Sequence, residues 1–331
     1  MIRYRGERLP DHPAIAVVAD DAIGNFVVAT PLLQMLQRAH APRRLSFVSG
    51  PRTRELQVSS DLITDAFLGK GPDAALPSGP YDLVVNVELS DWARKAAGIL
   101  GSGSAARICG PADDPATGRQ APFEDNERGD LWRDREWVSA TLADRYPFLG
   151  SGWIGEIFCR LAYLEGPVPR YAVPRVAPPS NVPDVLVAMS ASLVEKLWPA
   201  DRWVELLGRI NDTGRTVGLL GAAPAAQRTW LGSEAESEVV ERGLVRDLRG
   251  TMTLPEVVGA LAAAERVLTL DNGILHLSAS TDTPVVGLFR YGIHRLWAPP
   301  FGNVAVLTPG EGAEVAEIPV DRVWEAIAFD V

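Results

Sequence analysis

The sequence predicts an α/β protein made of two doubly wound, Rossmann-like parallel sheets, each in its own domain. The first observation is that short apolar, β-branched runs alternate with helical patterns along the 331-residue chain. The second is a proline-rich stretch, Gly166–Pro183, where the alternation stops before it begins again. Such a stretch suits a semi-rigid connector. We therefore expect domains over residues 1–170 and 183–318 that face a common cleft, then a terminal helix within 319–331, with packing back on the amino-terminal domain as one arrangement.

In the amino-terminal half, three apolar runs predict buried strands, and one segment of helical spacing predicts a helix. The strands are expected over residues 14–19, 44–48 and 82–87, and the helix over 28–38. Residues 111–147 are charged and aromatic without clear periodicity, which predicts a functional excursion or a mobile loop.

The carboxyl-terminal half repeats the same rhythm of strands and helices. We expect strands over residues 185–189, 216–220, 266–270 and 284–289 and helices over 201–210, 257–264, 275–280 and 320–329.

The composition excludes several classes of protein. A formal net charge of −10 argues against a nucleic-acid partner or an anionic membrane surface. No apolar run approaches the ~20 residues of a membrane span, and the first residues lack the pattern of a signal peptide. Two cysteines and four histidines do not form a disulfide framework or a metal-binding spacing. We therefore expect a cytoplasmic protein with no transmembrane segment, no metal and no cofactor.

One predicted strand, over 266–270, ends in Asp271-Asn272-Gly273, and a helix starts at once. Ligands of open α/β sheets bind beyond the carboxyl ends of the strands, and free N–H groups at a helix start attract phosphate. Gly273 would let a ligand approach closely, and His276 in the first helical turn would add a donor. The competing interpretation is that Asp271 only caps the helix and His276 is a core residue.

Lysine is scarce in this chain, with three lysines against 29 arginines. Lys196 comes just after the predicted strand over 185–189 and before Pro199, which suits the first position of a helix. A lysine at that place can meet a phosphate as a point charge. A solvated surface lysine is the alternative interpretation.

Together these motifs resemble glycosyltransferase family 9, the heptosyltransferases of lipopolysaccharide assembly and their relatives. In the carboxyl half the resemblance lies in Lys196-x-Trp198-Pro199 and in Asp271-x-Gly273-x-x-His276. In the amino half it lies in Ile23-Gly24-Asn25 followed by Thr30-Pro31, and in the run Tyr81–Asn86. The similarity extends from about Ala14 to Phe301.

The resemblance implies the GT-B fold and an inverting, metal-independent transfer of a heptose or related sugar from an ADP-activated donor to a hydroxyl of a glycan or small-molecule acceptor. It also implies that the donor lies on the carboxyl-terminal domain. Carried over by position, the donor-binding residues are Lys196, Gly221, Gly250, Thr251, Asp271, Asn272, Gly273 and His276. Helix N-termini with Lys196 would neutralise the leaving diphosphate.

Two positions depart from the family pattern. Asn25 stands where the family has its catalytic aspartate, and an amide cannot accept a proton as a general base. Asp20, Asp21, Glu88 and Asp91 follow predicted strand ends nearby and are the candidate bases, with Asp21 preferred slightly, although each also suits a cap or a solvated position. The second departure is Asn272, where the family usually has Ser or Thr.

Two further segments are candidates for ligand contact. Trp132, Trp137 and Arg133 would grip an acceptor sugar by stacking and hydrogen bonds, or else belong to a solvated loop anchored by its tryptophans. The segment Arg290–Arg295 follows a predicted strand end where the family often has Gly-Pro-Thr, and it should lie near the donor sugar or its phosphates.

Two other functions remain open from the sequence. Asn25 suits a non-catalytic sugar-nucleotide-binding module, and another GT-B enzyme, such as a nucleotide-sugar epimerase, shares the fold. A dinucleotide-dependent oxidoreductase is disfavoured because no GxGxxG follows the first predicted strand.

Overall fold

A computed structural model describes residues 1–70, 76–103, 105–179, 181–224, 231–327 and 329. The chain divides into two compact units, Met1–Pro174 and Arg175–Val331. The boundary between them falls inside the proline-rich connector. No helix in the described part of the chain is both long and apolar enough to cross a lipid bilayer.

The amino-terminal unit is built on one parallel sheet. Its strands are β1 (Ile2–Arg3), β2 (Ala14–Val18), β3 (Arg44–Val48), β4 (Asp65–Phe67), β5 (Leu83–Asn86) and β6 (Arg107–Cys109). They lie in the order β1-β6-β5-β2-β3-β4, and each neighbouring pair is parallel. The accompanying helices are α1 (Ile23–His40), α2 (Arg54–Val58), α3 (Asp91–Leu100), α4 (Glu127–Arg133), α5 (Leu142–Arg145) and α6 (Ile154–Leu161).

Helix α1 begins at Ile23, five residues before the predicted start at Val28. Pro31 lies inside this helix, and because proline has no N–H, the carbonyl of Val27 loses its usual partner four residues on. The Thr30 hydroxyl donates to that carbonyl at 2.7 Å instead. The local sequence therefore tolerates Pro31, and Ile23-Gly24-Asn25 becomes the first helical turn rather than a loop.

The segment 111–147 is anchored by buried residues such as Leu131 and Trp132, while about half of it is exposed, and its role as a functional excursion stays a prediction. It contains α4 and α5, seven and four residues long, and helices so short leave no readable periodicity. Asn126 caps α4 by accepting from the N–H groups of Arg128 and Gly129. Trp132 is buried and stacks on Phe123, with ring centroids 5.8 Å apart.

The carboxyl-terminal unit repeats the architecture of the first. Its strands are β7 (Val185–Ala188), β8 (Val217–Leu219), β9 (Arg246–Asp247), β10 (Arg266–Leu270), β11 (Val285–Leu288) and β12 (Val304–Leu307). They lie in the order β12-β11-β10-β7-β8-β9 and pair in parallel. The accompanying helices are α7 (Ala200–Asp212), α8 (Ser233–Glu241), α9 (Leu254–Ala263), α10 (Gly273–Ala279), α11 (His294–Trp297) and α12 (Val320–Ile327).

The terminal helix α12 packs inside its own unit. Val320, Val323 and Ile327 join the hydrophobic core formed by β7, β10 and α7, and Asp321 pairs with Arg209 of α7 at 2.7 Å. The arrangement in which this helix also packs back on the amino-terminal domain stays a prediction. Its apolar residues pack on α7 and on the sheet of the same unit.

In each sheet the order of the strands reverses direction beside one central strand, β2 in the first sheet and β7 in the second. In the amino-terminal unit the reversal lies between β2 and β5, and in the carboxyl-terminal unit it lies between β7 and β10. Loops that leave the carboxyl ends of such strands diverge and open a crevice for ligand. The crevice of each unit is consequently where its functional residues are expected.

Candidate active site

Lys196 and Asp271 meet at the crevice of the carboxyl-terminal sheet. Lys196 comes after β7, and Asp271 directly follows β10. The Lys196 ammonium lies 2.7 Å from Oδ2 of Asp271 and also donates to the Asp271 carbonyl at 3.1 Å. Only 15% of the Lys196 side chain and 7% of the Asp271 side chain are exposed. Lys196 is therefore a fixed, partner-bound cation rather than a solvated surface lysine.

Asn272, rather than Asp271, caps helix α10. Its Oδ1 accepts from the N–H groups of Ile274 and Leu275, and its Nδ2 donates to the Ser190 carbonyl at 3.0 Å. Two of the N–H groups predicted to be free for phosphate are thus already bonded, which corrects that prediction. Gly273 is the first residue of α10. The amide at position 272 accordingly ties the loops after β7 and β10 together, a contact that a hydroxyl is too short to make.

His276 is buried in α10, beside the Lys196–Asp271 pair. Burial lowers the pKa of His276 to about 4, with the nearby Asp271 carboxylate opposing and the Lys196 ammonium adding to this effect. Its ring packs edge-on against Trp297, with centroids 6.2 Å apart. His276 is therefore a neutral imidazole at physiological pH and brings no charge to the site.

Two segments that contain predicted donor-binding residues, one with Gly221 and one with Gly250 and Thr251, pack against each other beyond β8. The Gly250 N–H donates to the Gly221 carbonyl at 3.0 Å, and Thr251 Oγ1 bonds the Leu248 carbonyl at 2.8 Å. Gly250 has a φ of +67°, and a Cβ there would lie 2.5 Å from that of Ala223. The turn consequently has its shape only with glycine at position 250.

Sequence reasoning missed an ion-pair cluster that anchors this turn. Arg249 is almost fully buried, and its guanidinium lies 3.0 Å from Glu236 and 2.8 Å from Asp247. The hydrogen bonds that Arg249 donates to Asp247, ahead of its pair with Glu236, raise the pKa of Arg249 against the effect of burial. Glu236 lies in α8, 13 positions before Arg249, and gave no sequence signal of this role.

The amino-terminal crevice holds Asp20 and Asp21 beyond the end of β2. Lys70 pairs with both carboxylates, at 3.1 Å from Asp21, and Arg52 lies 3.9 Å from Asp21. Partial burial acts to raise the pKa of Asp20, but the hydrogen bonds from Lys70 and from the Asp21 backbone outweigh it and lower that pKa. These two candidate bases are therefore held as ion-paired carboxylates. Lys70 is a partner that the sequence analysis did not identify.

Glu88 and Asn25 complete the amino-terminal crevice. Glu88 lies two residues after β5. The Val87 N–H between them donates to the carbonyl of Val18, the last residue of β2, at 3.0 Å. One Glu88 oxygen accepts from the Ser90 N–H at 2.9 Å, and Glu88 forms no ion pair with any described residue. Asn25 lies in the first turn of α1, which has no side-chain cap.

The three predicted acceptor residues are engaged within their own segment. Trp132 is covered by Phe123 and by Trp137, while the Trp137 indole N–H donates to the Leu131 carbonyl at 2.8 Å. Arg133 pairs with Asp130 at 2.7 Å. Because Trp132 has no open ring face, the structure favours the alternative of anchoring tryptophans over sugar stacking by Trp132.

A family model described as glycosyltransferase family 9 (heptosyltransferase) matches residues 169–313. Among curated proteins, lipopolysaccharide heptosyltransferase 1 of Salmonella typhimurium is 33% identical over 96 residues. That alignment spans 29% of this chain and 28% of the length of the relative. The sequence match thus covers under a third of the curated protein.

Solved structures extend the likeness to the whole fold. A glycosyl transferase family 9 protein from Veillonella parvula superposes with a TM-score of 0.73 at 15% identity, covering 97% of this chain and 98% of that one. The ADP-heptose lipopolysaccharide heptosyltransferase II of E. coli gives a TM-score of 0.67 at 18% identity, with 95% and 97% covered. The resemblance drawn from the motifs is confirmed: residues 169–313 match the family 9 model, and the chain has the two-domain GT-B fold of these solved structures.

Proposed function

We propose that this protein transfers a heptose or related sugar from an ADP-activated donor to a hydroxyl of a glycan or small-molecule acceptor. The transfer inverts the anomeric carbon and proceeds without a metal ion. The observation that carries the proposal is the Lys196–Asp271 pair, fixed at 2.7 Å in the crevice of the sheet that matches the family. The curated relative is named a heptosyltransferase, and the E. coli protein of like fold is named for ADP-heptose.

The donor is expected to lie along the carboxyl edge of the second sheet. The packed turns at Gly221 and Gly250–Thr251 supply a wall for the nucleotide, while Lys196 reaches the phosphates next to Gly273, where a missing side chain allows close approach. Asp271 orients Lys196 and accepts hydrogen bonds from the ligand with its other lone pairs. His276, being neutral, donates or accepts one hydrogen bond without a change of charge.

The general base is proposed to be Glu88. A displacement at the anomeric carbon needs the acceptor proton removed as the new bond forms. Asp20 and Asp21 share Lys70, so protonating either one would break an ion pair, and the lowered pKa of Asp20 makes it a weak base. Glu88 lies at the neighbouring strand end and has no cationic partner among the described residues. This ordering reverses the slight sequence-based preference for Asp21.

A sugar-nucleotide-binding module is the second candidate function. It is favoured by Asn25 at the position of the family's aspartate and by the engagement of Asp20 and Asp21 with Lys70. Such a module would keep the donor site of the second unit and lack turnover. If the protein binds the donor but does not consume it, it is the binding module rather than the transferase.

The test combines calorimetry and mass spectrometry on the full-length chain. ADP, GDP and UDP are titrated first, and ADP-heptose is then incubated with and without a panel of glycan acceptors. We expect ADP to bind, and ADP release with a heptosylated product to need an acceptor and to persist in EDTA. An epimer formed without acceptor would instead indicate an epimerase, and no binding of any of the three nucleotides would refute the donor site.

A further inference from the structure

The residues assigned to the donor site carry no net charge. The Lys196 ammonium is compensated by the Asp271 carboxylate at 2.7 Å, and His276 is neutral because burial lowers its pKa to about 4. A nucleoside-diphosphate sugar brings two negative charges, and its leaving group gains another as the glycosidic bond breaks. In a partly buried site, stabilising this negative charge needs a cation that is not already neutralised by a carboxylate of the protein.

The segment that follows β11 carries basic but no acidic side chains. Residues 283–310 contain Arg290, His294 and Arg295 but no aspartate or glutamate, in a chain with 42 acidic and 32 basic residues. Because no carboxylate within the segment balances Arg290 and Arg295, the segment carries a net positive charge.

This segment adjoins the Lys196–Asp271 pair through the sheet. Strands β10 and β11 are parallel neighbours, and the Asp271 N–H donates to the Leu288 carbonyl at 3.1 Å. Arg290 comes two residues after Leu288, so it leaves the same carboxyl edge one strand away, about 5 Å across the sheet. The Trp297 ring of α11 also packs against His276.

The Arg290 side chain lacks the protein partners that Arg295 has. The side chain is half-buried, and its Nε is buried with no hydrogen-bond partner among the described residues. Arg295, by contrast, donates to the Tyr291 hydroxyl at 3.2 Å and covers the Tyr291 ring at 5.1 Å. A buried N–H left unpaired is costly, which indicates that Arg290 is shaped to receive an anionic partner.

We infer that Arg290 binds the diphosphate of the donor and stabilises it as it leaves, an inference that rests on the proposed function. The bond between the anomeric carbon and the β-phosphate oxygen breaks, and its electron pair stays on that oxygen. The acceptor oxygen forms the new bond to the anomeric carbon and gives its proton to the Glu88 carboxylate. Arg290 stays protonated throughout, and its guanidinium donates two hydrogen bonds to the phosphate oxygens.

The experiment titrates the full-length chain with ADP and with AMP, using wild type, R290Q, R290K and R242Q. R290Q should weaken ADP binding about 10- to 100-fold, the range for one charge-assisted contact, and AMP binding by much less, since AMP lacks the β-phosphate. R290K should keep part of the ADP affinity. R242Q is the control, because Arg242 is an exposed arginine of the same unit that pairs with Glu238 at 2.7 Å, and it should bind ADP as wild type does.

Each outcome decides the inference. ADP affinity of R290Q within twofold of wild type overturns it while leaving the proposed function standing. Equal losses for ADP and AMP also overturn it, because they place Arg290 away from the β-phosphate. If R290Q fails to fold, Arg290 has a structural partner and the inference is wrong. If wild type binds neither nucleotide, the proposed function fails and the inference falls with it.

Discussion

Lys196 is bound to Asp271 twice, through the carboxylate at 2.7 Å and through the backbone carbonyl at 3.1 Å. The two contacts join the loop after β7 to the loop after β10, across the point where the sheet reverses its strand order. A lysine held in this way presents one remaining N–H direction rather than a mobile charge. The pair therefore sets both the position and the charge of the site.

The first prediction separates the structural role of Lys196 from its role toward ligand. K196A should destabilise the fold, because it leaves the Asp271 carboxylate partly buried and unpaired, a change that costs about 3–5 kcal/mol in a fully buried pair and less here. The same variant should weaken ADP binding about 10- to 100-fold. Urea unfolding and calorimetry measure the two effects.

The double variant Lys196→Met with Asp271→Asn is the control. It removes both charges, so the free energy of unfolding should recover most of the loss seen in K196A. ADP affinity should stay low, because no cation remains at that position. Recovery of both quantities together would assign Lys196 a purely structural role.

The second prediction concerns Gly250 and uses Gly243 as its matched control. Both glycines have a φ of +67°, but a Cβ at position 243 meets nothing within 4 Å, whereas one at 250 meets Ala223 at 2.5 Å. G243A should cost about 1 kcal/mol from backbone strain alone, and G250A should cost about 1–3 kcal/mol more from overpacking. Only G250A should also weaken ADP binding. Equal costs in urea unfolding would contradict the tight packing of this turn.

The strands of both crevices could be predicted from sequence because each is a short, continuous apolar run. Residues 44–48 and 266–270 coincide with β3 and β10. The edge strands β1 and β9 are two residues long and carry too little pattern to be seen. Helix α9 begins at Leu254, ahead of the predicted start at Val257, because the Thr253–Glu256 capping box sets its first turn.

The sequence predicted only those residues of the site that belong to a recognisable motif. Lys196, Asp271 and His276 stand at fixed spacings, but the bond between Lys196 and Asp271 joins residues 75 positions apart. Lys70, which pairs with Asp20 and Asp21, lies about 50 positions from them. Such pairing depends on which strands become neighbours, and a local pattern does not contain that information.

The third prediction follows from the buried His276. Its pKa is about 4 in the folded chain against 6.5 when exposed, so below pH 6.5 the unfolded chain binds a proton that the folded chain does not. The stabilising contribution is complete above pH 6.5 and is lost as the pH falls toward 4. Between pH 7 and pH 5 the wild type should lose about 2 kcal/mol of unfolding free energy from this group.

The variant H276Q serves as its control, because glutamine has no charge to gain. All other titrating groups are shared, so the difference between the two pH profiles isolates His276. Urea unfolding at pH 5, 6 and 7 measures both profiles. Parallel profiles would contradict a pKa well below 6.5 for His276.

The last prediction identifies the base. E88Q should lower turnover of ADP-heptose by about 10²- to 10⁴-fold while ADP affinity is preserved, because the amide cannot take the acceptor proton. D20N and D21N should lower turnover much less, since each aspartate is already paired with Lys70. D91N is the matched control: Asp91 starts α3 close to Glu88 and is 81% exposed, so its loss should leave turnover unchanged. The companion variant N25D restores the family's aspartate and should add to turnover or leave it unchanged. If E88Q, D20N and D21N all leave turnover as it was, while N25D turns an inactive wild type into an active enzyme, the natural protein is a binding module and the assignment of Glu88 is wrong.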